Sequence, residues 1–486
     1  MEFTETQRIL LHLKTKFRSP LSDAEIVGEE ITRFLASNHH ERMREAEQYY
    51  LNRSAVQNKT NEIAKRSNTK IEHSILKKLI DQKVNYTFSR PFSISSDNEK
   101  YNKALNKLFD DTVRQKVKRF GRGAPKLGVG WMLPYFDGTG KMSFRVIPAA
   151  NLIPFWEDPE HMELSGFLYF YTIVEYEGWA SRTIIKAELW DSSGVSYYSG
   201  YGGKFTEDPD KPGKYPHFIF DEQPYYWKTP PLAWCKYNDE ELPLQYFLKE
   251  LIDDLNWQTS TTSDVLRDVA KFIWILKNYG GEDLAEFTDN LRKYLAMKVE
   301  EDGGVDTVQP DIQVDAVLNF IDKQRRDIVD LGAGVDTKDP ELGSASGKAI
   351  YFRYMDLDTD STNLQVEMKA AFLRLKPFID DYFVMTGQGI FHDAEFEIVF
   401  NTDMPVDETE IFTNAQAAKN IGLSMYTTLS NLPWVKDPSE ELGRIKAERA
   451  ETFKEQEDEL KSMAAYDFPH QGEEVKEPPP DEGDSS

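Results

Sequence analysis

Cysteine is almost missing from this chain. One thiol, Cys235, in 486 residues excludes an internal disulfide and a cysteine-ligated zinc site, and fits a reducing compartment of origin. Long apolar runs are missing as well. The longest, Phe272–Leu276 and Phe167–Val174, are strand-sized and fall far short of the roughly 18–20 residues that cross a bilayer, so no membrane partner is expected. The opening MEFTETQRIL has no basic stretch followed by an apolar one, which argues against a secretion signal. The eight histidines show neither HxxxH nor HExxH spacing, and no Ser–His–Asp arrangement follows from spacing. His39-His40 reads as solvent-exposed. Cys235 sits among apolar and aromatic residues without a nearby histidine, the setting of a packed core thiol. Positive charge is also short: 58 Lys+Arg against 83 Asp+Glu leave a formal charge of −25. Phosphate attraction needs clustered Lys and Arg, so a general nucleic-acid binder is disfavoured.

The chain is long enough for two or three domains, and its 40% apolar and 29% charged residues describe a globular bulk. Charge is unevenly spread. His39–Lys126 holds 20 basic and 10 acidic residues, whereas Gly387–Ser486 holds 8 and 23. That pattern reads either as solvated helical faces or as two surfaces for different partners.

Hydrophobic period divides the chain. Ser22 and Glu25 have capping-box spacing, opening a helix expected to run to about Arg53. Leu76, Ile80 and Val84 place a helix over roughly Thr69–Phe88, stopped by Pro91, and another covers Asp97–Phe120. From Gly128 the period becomes two. Trp131–Phe136 and Lys141–Ile147 flank DGTG, a hairpin signal, and strands follow at Gly166–Glu175, Arg182–Asp191 and Val195–Gly200. Gly200–Pro216 reads as loop, with short strands at Phe218–Phe220 and Leu232–Lys236. Helical spacing resumes from Leu244 to about Ala270. Lys271–Asn278 and Gly303–Gln309 are strand-like and bracket a helix at Glu282–Val299. A helix ending at Leu331 leads into GAGVDTKDPELGSASG (Gly332–Gly347), then a helix over Gly347–Met385, roughly 58 Å long at 1.5 Å per residue. A strand returns at Ala394–Phe400, small helices fill Asp407–Leu460, and a Pro- and acid-rich tail closes the chain. The expected fold class is α+β.

The motifs carry little chemistry. GSASGKA (Gly343–Ala349) resembles a phosphate loop, but Leu342 stands where its first glycine belongs and Ala349 where Ser or Thr would hold magnesium. DLDTDSTNLQVE (Asp356–Glu367) has calcium-loop carboxylates, yet Ser361 occupies the turn glycine's place; a helix kink or a polar helix face is the better account. Asp403, Asp407, Glu408 and Glu410 invite a two-metal reading but suit an acidic first helical turn equally well. No catalytic residue, metal or cofactor is therefore assigned.

Four passages carry a resemblance: KLIDQKVNYTFSRPFSISSDN (Lys78–Asn98), GVGWMLPYFDGTGKMSFRVIPAANLIPFW (Gly128–Trp156), SGKAIYFRYMDLD (Ser346–Asp358) and GLSMYTTLSNLPWVKDPSEELGRIKAE (Gly422–Glu448). In this order, over roughly residues 40–460, the chain resembles the portal (head-to-tail connector) proteins of tailed double-stranded DNA bacteriophages, the class common in long-tailed phages of Gram-positive hosts. The resemblance implies a virion protein, assembled in the host cytoplasm, forming a ring of about twelve copies at one capsid vertex. Double-stranded DNA would pass through it without sequence specificity. Implied partners are the terminase large subunit, an adaptor or head-completion protein, and the major capsid and scaffolding proteins. The implied division is a wing (1–238, with a returning strand at 386–405), stem helices (239–270 and 313–331), a clip (271–312), a tunnel loop (332–346), a long helix (347–385), a crown (406–466) and an acidic tail (467–486). Thr337, Lys338, Asp339, Glu341, Ser344, Ser346 and Lys348 would face or flank DNA. Glu282, Asp283, Glu286, Asp289 and Lys293 would form the clip's docking surface for terminase and adaptor. The competing readings are a metal-dependent nuclease or other carboxylate-based nucleic-acid enzyme, and a non-portal virion or scaffold protein.

Overall fold

A computed structural model describes residues 22–60, 67–269, 273–277, 304–308, 314–338, 347–400, 402, 408–430, 432, 435 and 438–465. Two compact units divide the chain, Met1–Met404 and Pro405–Ser486.

Polar side chains decide where the first helices start. The capping box is present: the Ser22 N–H donates to Glu25 Oε2 (2.8 Å), and the Glu25 N–H donates to Ser22 Oγ (3.4 Å). This helix, α1, spans Asp23–Leu35 and does not continue to Arg53. Ser37 accepts the His40 N–H (3.1 Å) and caps a separate α2, Asn38–Tyr50. His39 and His40 are half-buried against Phe34, with ring centroids 6.5 and 5.1 Å away, rather than solvent-exposed. Burial lowers both imidazole pKa values. Helix α3 is Ile75–Thr87, and β1 is Ser93–Ser95. The single helix expected over Asp97–Phe120 is two, α4 (Glu99–Leu108) and α5 (Asp111–Leu127), because Asp110 accepts the Val113 N–H (2.9 Å) and caps the second.

The aromatic segment folds into antiparallel sheets. Strands β2 (Val129–Phe136) and β3 (Met142–Ile147) form the expected hairpin, pairing Phe136 with Met142 and Trp131 with Ile147. The β4 strand (Leu152–Trp156) has no clear period of its own, and pairs with β5 (Leu164–Glu177). Next come β6 (Ala180–Asp191) and β7 (Gly194–Tyr201). Two strands, β8 (Lys204–Glu207) and β9 (Lys214–Tyr215), lie in the stretch read as loop. Then follow β10 (Phe218–Phe220), β11 (Gln223–Tyr225) and β12 (Ala233–Lys236). The main sheet runs β4-β5-β6-β7-β8, with β9 also on β7; a second sheet runs β12-β2-β3. Val27 and Ile31 of α1 cover Leu168, Phe170 and Phe205 on one face of the main sheet.

The remaining elements of this unit are α6 (Leu244–Val269), β13 (Ile273–Lys277) paired with β14 (Gly304–Val308), α7 (Val314–Leu331), α8 (Gly347–Met385) and β15 (Glu397–Val399). Strand β15 returns to pair with β1. The second half of α8 buries Leu364, Met368, Phe372, Leu375, Ile379 and Phe383 in the main core beside α3, α5 and α6. Cys235 is packed in the same core, and burial pushes its thiol pKa up. The unit Pro405–Ser486 carries α9 (Glu408–Asn420), α10 (Met425–Ser430) and α11 (Pro438–Ala465). Helices and antiparallel sheets together make the fold α+β.

The start of α3 differs from expectation because residues 67–73 are extended along α6. Four α6 side chains one turn apart accept backbone N–H groups two residues apart. Asn256 takes His73 (3.0 Å), Ser260 takes Ile71 (2.9 Å), Asp264 takes Thr69 (2.7 Å) and Asp268 takes Ser67 (3.3 Å). The spacings match because four helical residues rise about 6 Å, close to two extended residues at about 3.3 Å each. Lys59 is buried against Asp264 in the same seam.

Candidate functional site

Helix α7 ends in a left-handed turn. The Gly334 N–H donates to Val329 O (2.8 Å) and the Ala333 N–H to Asp330 O (2.9 Å), the paired bonds of a Schellman cap. Ala333 takes the left-handed conformation (φ 45°) usually given to glycine. The neighbouring glycines serve packing. A Cβ on Gly334 would lie 2.3 Å from Leu79 Cδ2, and one on Gly332 would lie 2.7 Å from Leu79 Cδ1. Both belong to the backbone's close approach to α3.

Beyond the cap, four side chains pin the loop base. Gln82 holds both backbone groups of Val335: its Nε2 donates to Val335 O (3.2 Å), and Val335 N–H donates to its Oε1 (3.0 Å). Lys83 Nζ donates to Ala333 O (3.1 Å). Lys78 Nζ donates to Thr337 Oγ1 (3.0 Å). Arg325 grips Asp336 through two 2.9 Å bonds, and that guanidinium holds the Asp336 carboxyl below the usual carboxylate range. Asp336 also accepts the Lys338 N–H (3.0 Å).

The first half of α8 lies beside the same base and is held differently from its second half. Lys83, with a side chain only 1% exposed, pairs with Asp360 at 2.7 Å. Tyr237 donates its hydroxyl to Asp360 (3.2 Å), Tyr86 donates to Asp358 (2.8 Å), and the Thr87 and Ser361 hydroxyls are 2.9 Å apart. The carboxylates of the calcium-like passage thus sit on an unbroken helix. Asp358 and Asp360 face α3 and Tyr237, and Glu367 accepts the Lys236 N–H, so this helical passage forms no calcium loop. Among the described residues no group of three His, Cys, Asp or Glu side chains is placed to hold a metal ion.

Thr337 and Lys338 are exposed at the end of the pinned base. Lys348 lies in the first turn of α8. Asp339, Glu341, Ser344 and Ser346 lie outside the described residues, as do Glu282, Asp283, Glu286, Asp289 and Lys293. Glu408 and Glu410 fall in the first turn of α9; Asp403 and Asp407 lie outside the described residues. The basic run His39–Lys126 is partly used internally: Lys59, Lys77, Lys83, Arg122 and Lys126 face Asp264, Asp81, Asp360, Asp81 and Glu47 respectively. Sequence reasoning missed Gln82, Lys83 and Arg325. Their partners lie on other elements, and only the bulk polarity of these helices hinted at a role.

The order of elements, with the long α8 following the pinned base 332–338, is the one expected from the resemblance to phage portal proteins. The phage portal protein family described as SPP1 Gp6-like matches residues 36–455, and the chain belongs to that family. It is 29% identical over 388 residues to the portal protein of Bacillus phage SPP1, covering 79% of this chain and 76% of that protein. It is 23% identical over 420 residues to the portal protein of Clostridium phage phiCD119, covering 82% and 90%. Among the described residues no helix is long and apolar enough to cross a membrane.

Proposed function

We propose that this chain assembles into a ring of about twelve copies at one capsid vertex, through which double-stranded DNA is packaged and later leaves. The carrying observation is the family match across residues 36–455. The division into wing, stem, clip, tunnel loop and crown follows the family's order of parts. In this reading 332–346 is the tunnel loop, anchored by Gln82, Lys83 and Arg325, with Thr337, Lys338, Asp339, Glu341, Ser344, Ser346 and Lys348 at or beside the passing duplex.

Exposed apolar side chains on the long helices support a ring. Trp257 and Val265 on α6, Leu318 and Phe320 on α7, and Tyr351 and Phe352 on α8 are all exposed, and neighbouring copies would cover them. Charge supports a conduit: about twelve copies at −25 give on the order of −300, a field that repels phosphate and keeps DNA from sticking. Lys338 and Lys348 would add weak, exchangeable contacts. Packaging force would come from a separate terminase ATPase docking at the clip through Glu282, Asp283, Glu286, Asp289 and Lys293. Adaptor proteins would take the same surface later, and the basic faces within 39–126 would meet capsid or scaffold. Sedimentation of the purified 56.1 kDa chain tests assembly: a species of about 670 kDa is expected for about twelve copies, and a monomer under all conditions contradicts the proposal.

A further inference from the structure

A pocket of about 440 Å³ opens where α8 meets the turn before β12, with Met162, Thr229, Leu232, Trp234, Arg374 and Phe378 among its lining residues. Its walls mix polar and apolar side chains, with Leu232 and Phe378 on the apolar side, and its one partly buried cation is under-used. The Arg374 guanidinium stacks 4.0 Å from the Trp234 ring centroid and makes one hydrogen bond, to Trp234 O (3.1 Å). Among the described residues it has no ion pair within 4 Å. Glu367, one heptad earlier on α8, attracts it at longer range and accepts the Lys236 N–H (3.4 Å). Trp234 is only 4% exposed, and its indole N–H is buried with no hydrogen-bond partner among the described residues. A half-buried guanidinium with one hydrogen bond and no ion pair within 4 Å among the described residues, beside Leu232 and Phe378, makes an anion site flanked by apolar side chains.

The rim narrows the ligand further. Glu157 and Glu163 line the pocket and are exposed, as is Lys228. Two rim carboxylates repel a polyanion such as a nucleic-acid backbone. A single carboxylate on an apolar stem meets far less of that repulsion, which Lys228 partly offsets, and entering head first it places its charge at Arg374 and its stem against Leu232 and Phe378. We propose that this pocket binds an organic carboxylate of that kind, supplied as a small free acid or as the last residue of a polypeptide.

Calorimetry of the full-length protein tests this with N-acetylphenylalanine, its uncharged amide, the peptide Gly-Gly-Gly-Phe and inorganic phosphate. The acid is expected to bind saturably, at least tenfold more tightly than the amide or phosphate. Arg374→Met should abolish binding. Because Arg374 also holds Trp234 O, Thr229→Trp is the second variant: it alters an exposed rim position, and should block binding while leaving the melting temperature unchanged. Tighter binding of the peptide than of the free acid, by tenfold or more, assigns the site to a polypeptide terminus; equal affinities assign it to a small acid. No saturable binding, equal binding of acid and amide, equal or tighter binding of phosphate, or unaltered binding by a folded Thr229→Trp protein would overturn the proposal.

Discussion

Ala333 and Gly334 show how single residues set the loop base. A non-glycine residue in the left-handed region is held there at a cost of roughly 1–2 kcal/mol, and Ala333 (φ 45°) bears it. Ala333→Gly should therefore stabilise the protein by about 1 kcal/mol, read as a higher urea midpoint at unchanged slope. Gly334→Ala should do the reverse. Its Cβ would meet Leu79 Cδ2 at 2.3 Å, and Leu79 is itself 1% exposed, so overpacking should cost roughly 1–3 kcal/mol. Asp336 gives the pH dependence. Hydrogen bonding from Arg325 is the largest cause of its lowered pKa. The folded state thus favours the ionised form. That stabilisation is fully present above the unfolded pKa of about 3.9 and is lost as pH falls through the lower folded value. Asp336→Asn should then be destabilising by a constant amount from pH 5 to 8. The difference from the parent should shrink below about pH 4, as measured by denaturant unfolding at each pH.

At the scale of elements, the seam between α6 and residues 67–73 replaces a sheet edge with a row of side chains. Ser260→Ala removes one acceptor, worth about 1 kcal/mol. Hydrogen exchange at the Ile71 amide should accelerate by roughly tenfold, with little change in strands of the main sheet; unchanged exchange would mean the seam is held by packing alone. Elements with a strong period were legible beforehand: α8 and the β2–β3 hairpin lie where their spacing puts them. The two over-long helices were readable in principle, since Ser37 and Asp110 are good capping residues, but an apolar period continuing past a cap hides the break. The seam was not readable, because its donors and acceptors are about 190 residues apart in the chain. Strand β15 is short and finds its partner β1 about 300 residues earlier. The loop's position was legible from its Gly, Ser and Asp content, but its anchoring by Gln82, Lys83 and Arg325 was not, because polar helix residues look alike until their partners are known.

On the scale of the whole molecule, the portal family match covers most of the chain, and assembly and DNA passage become separable. Deleting Asp339–Ser344 leaves the anchored base Gly332–Lys338 intact, so rings should still form while DNA packaging or retention falls. Loss of assembly in that variant would make the loop a structural joint. The most direct measurement is negative-stain electron microscopy of the purified full-length protein. The account predicts closed rings of about twelve subunits with a central hole, formed without added metal. Monomers that cleave DNA in a magnesium-dependent way would contradict it.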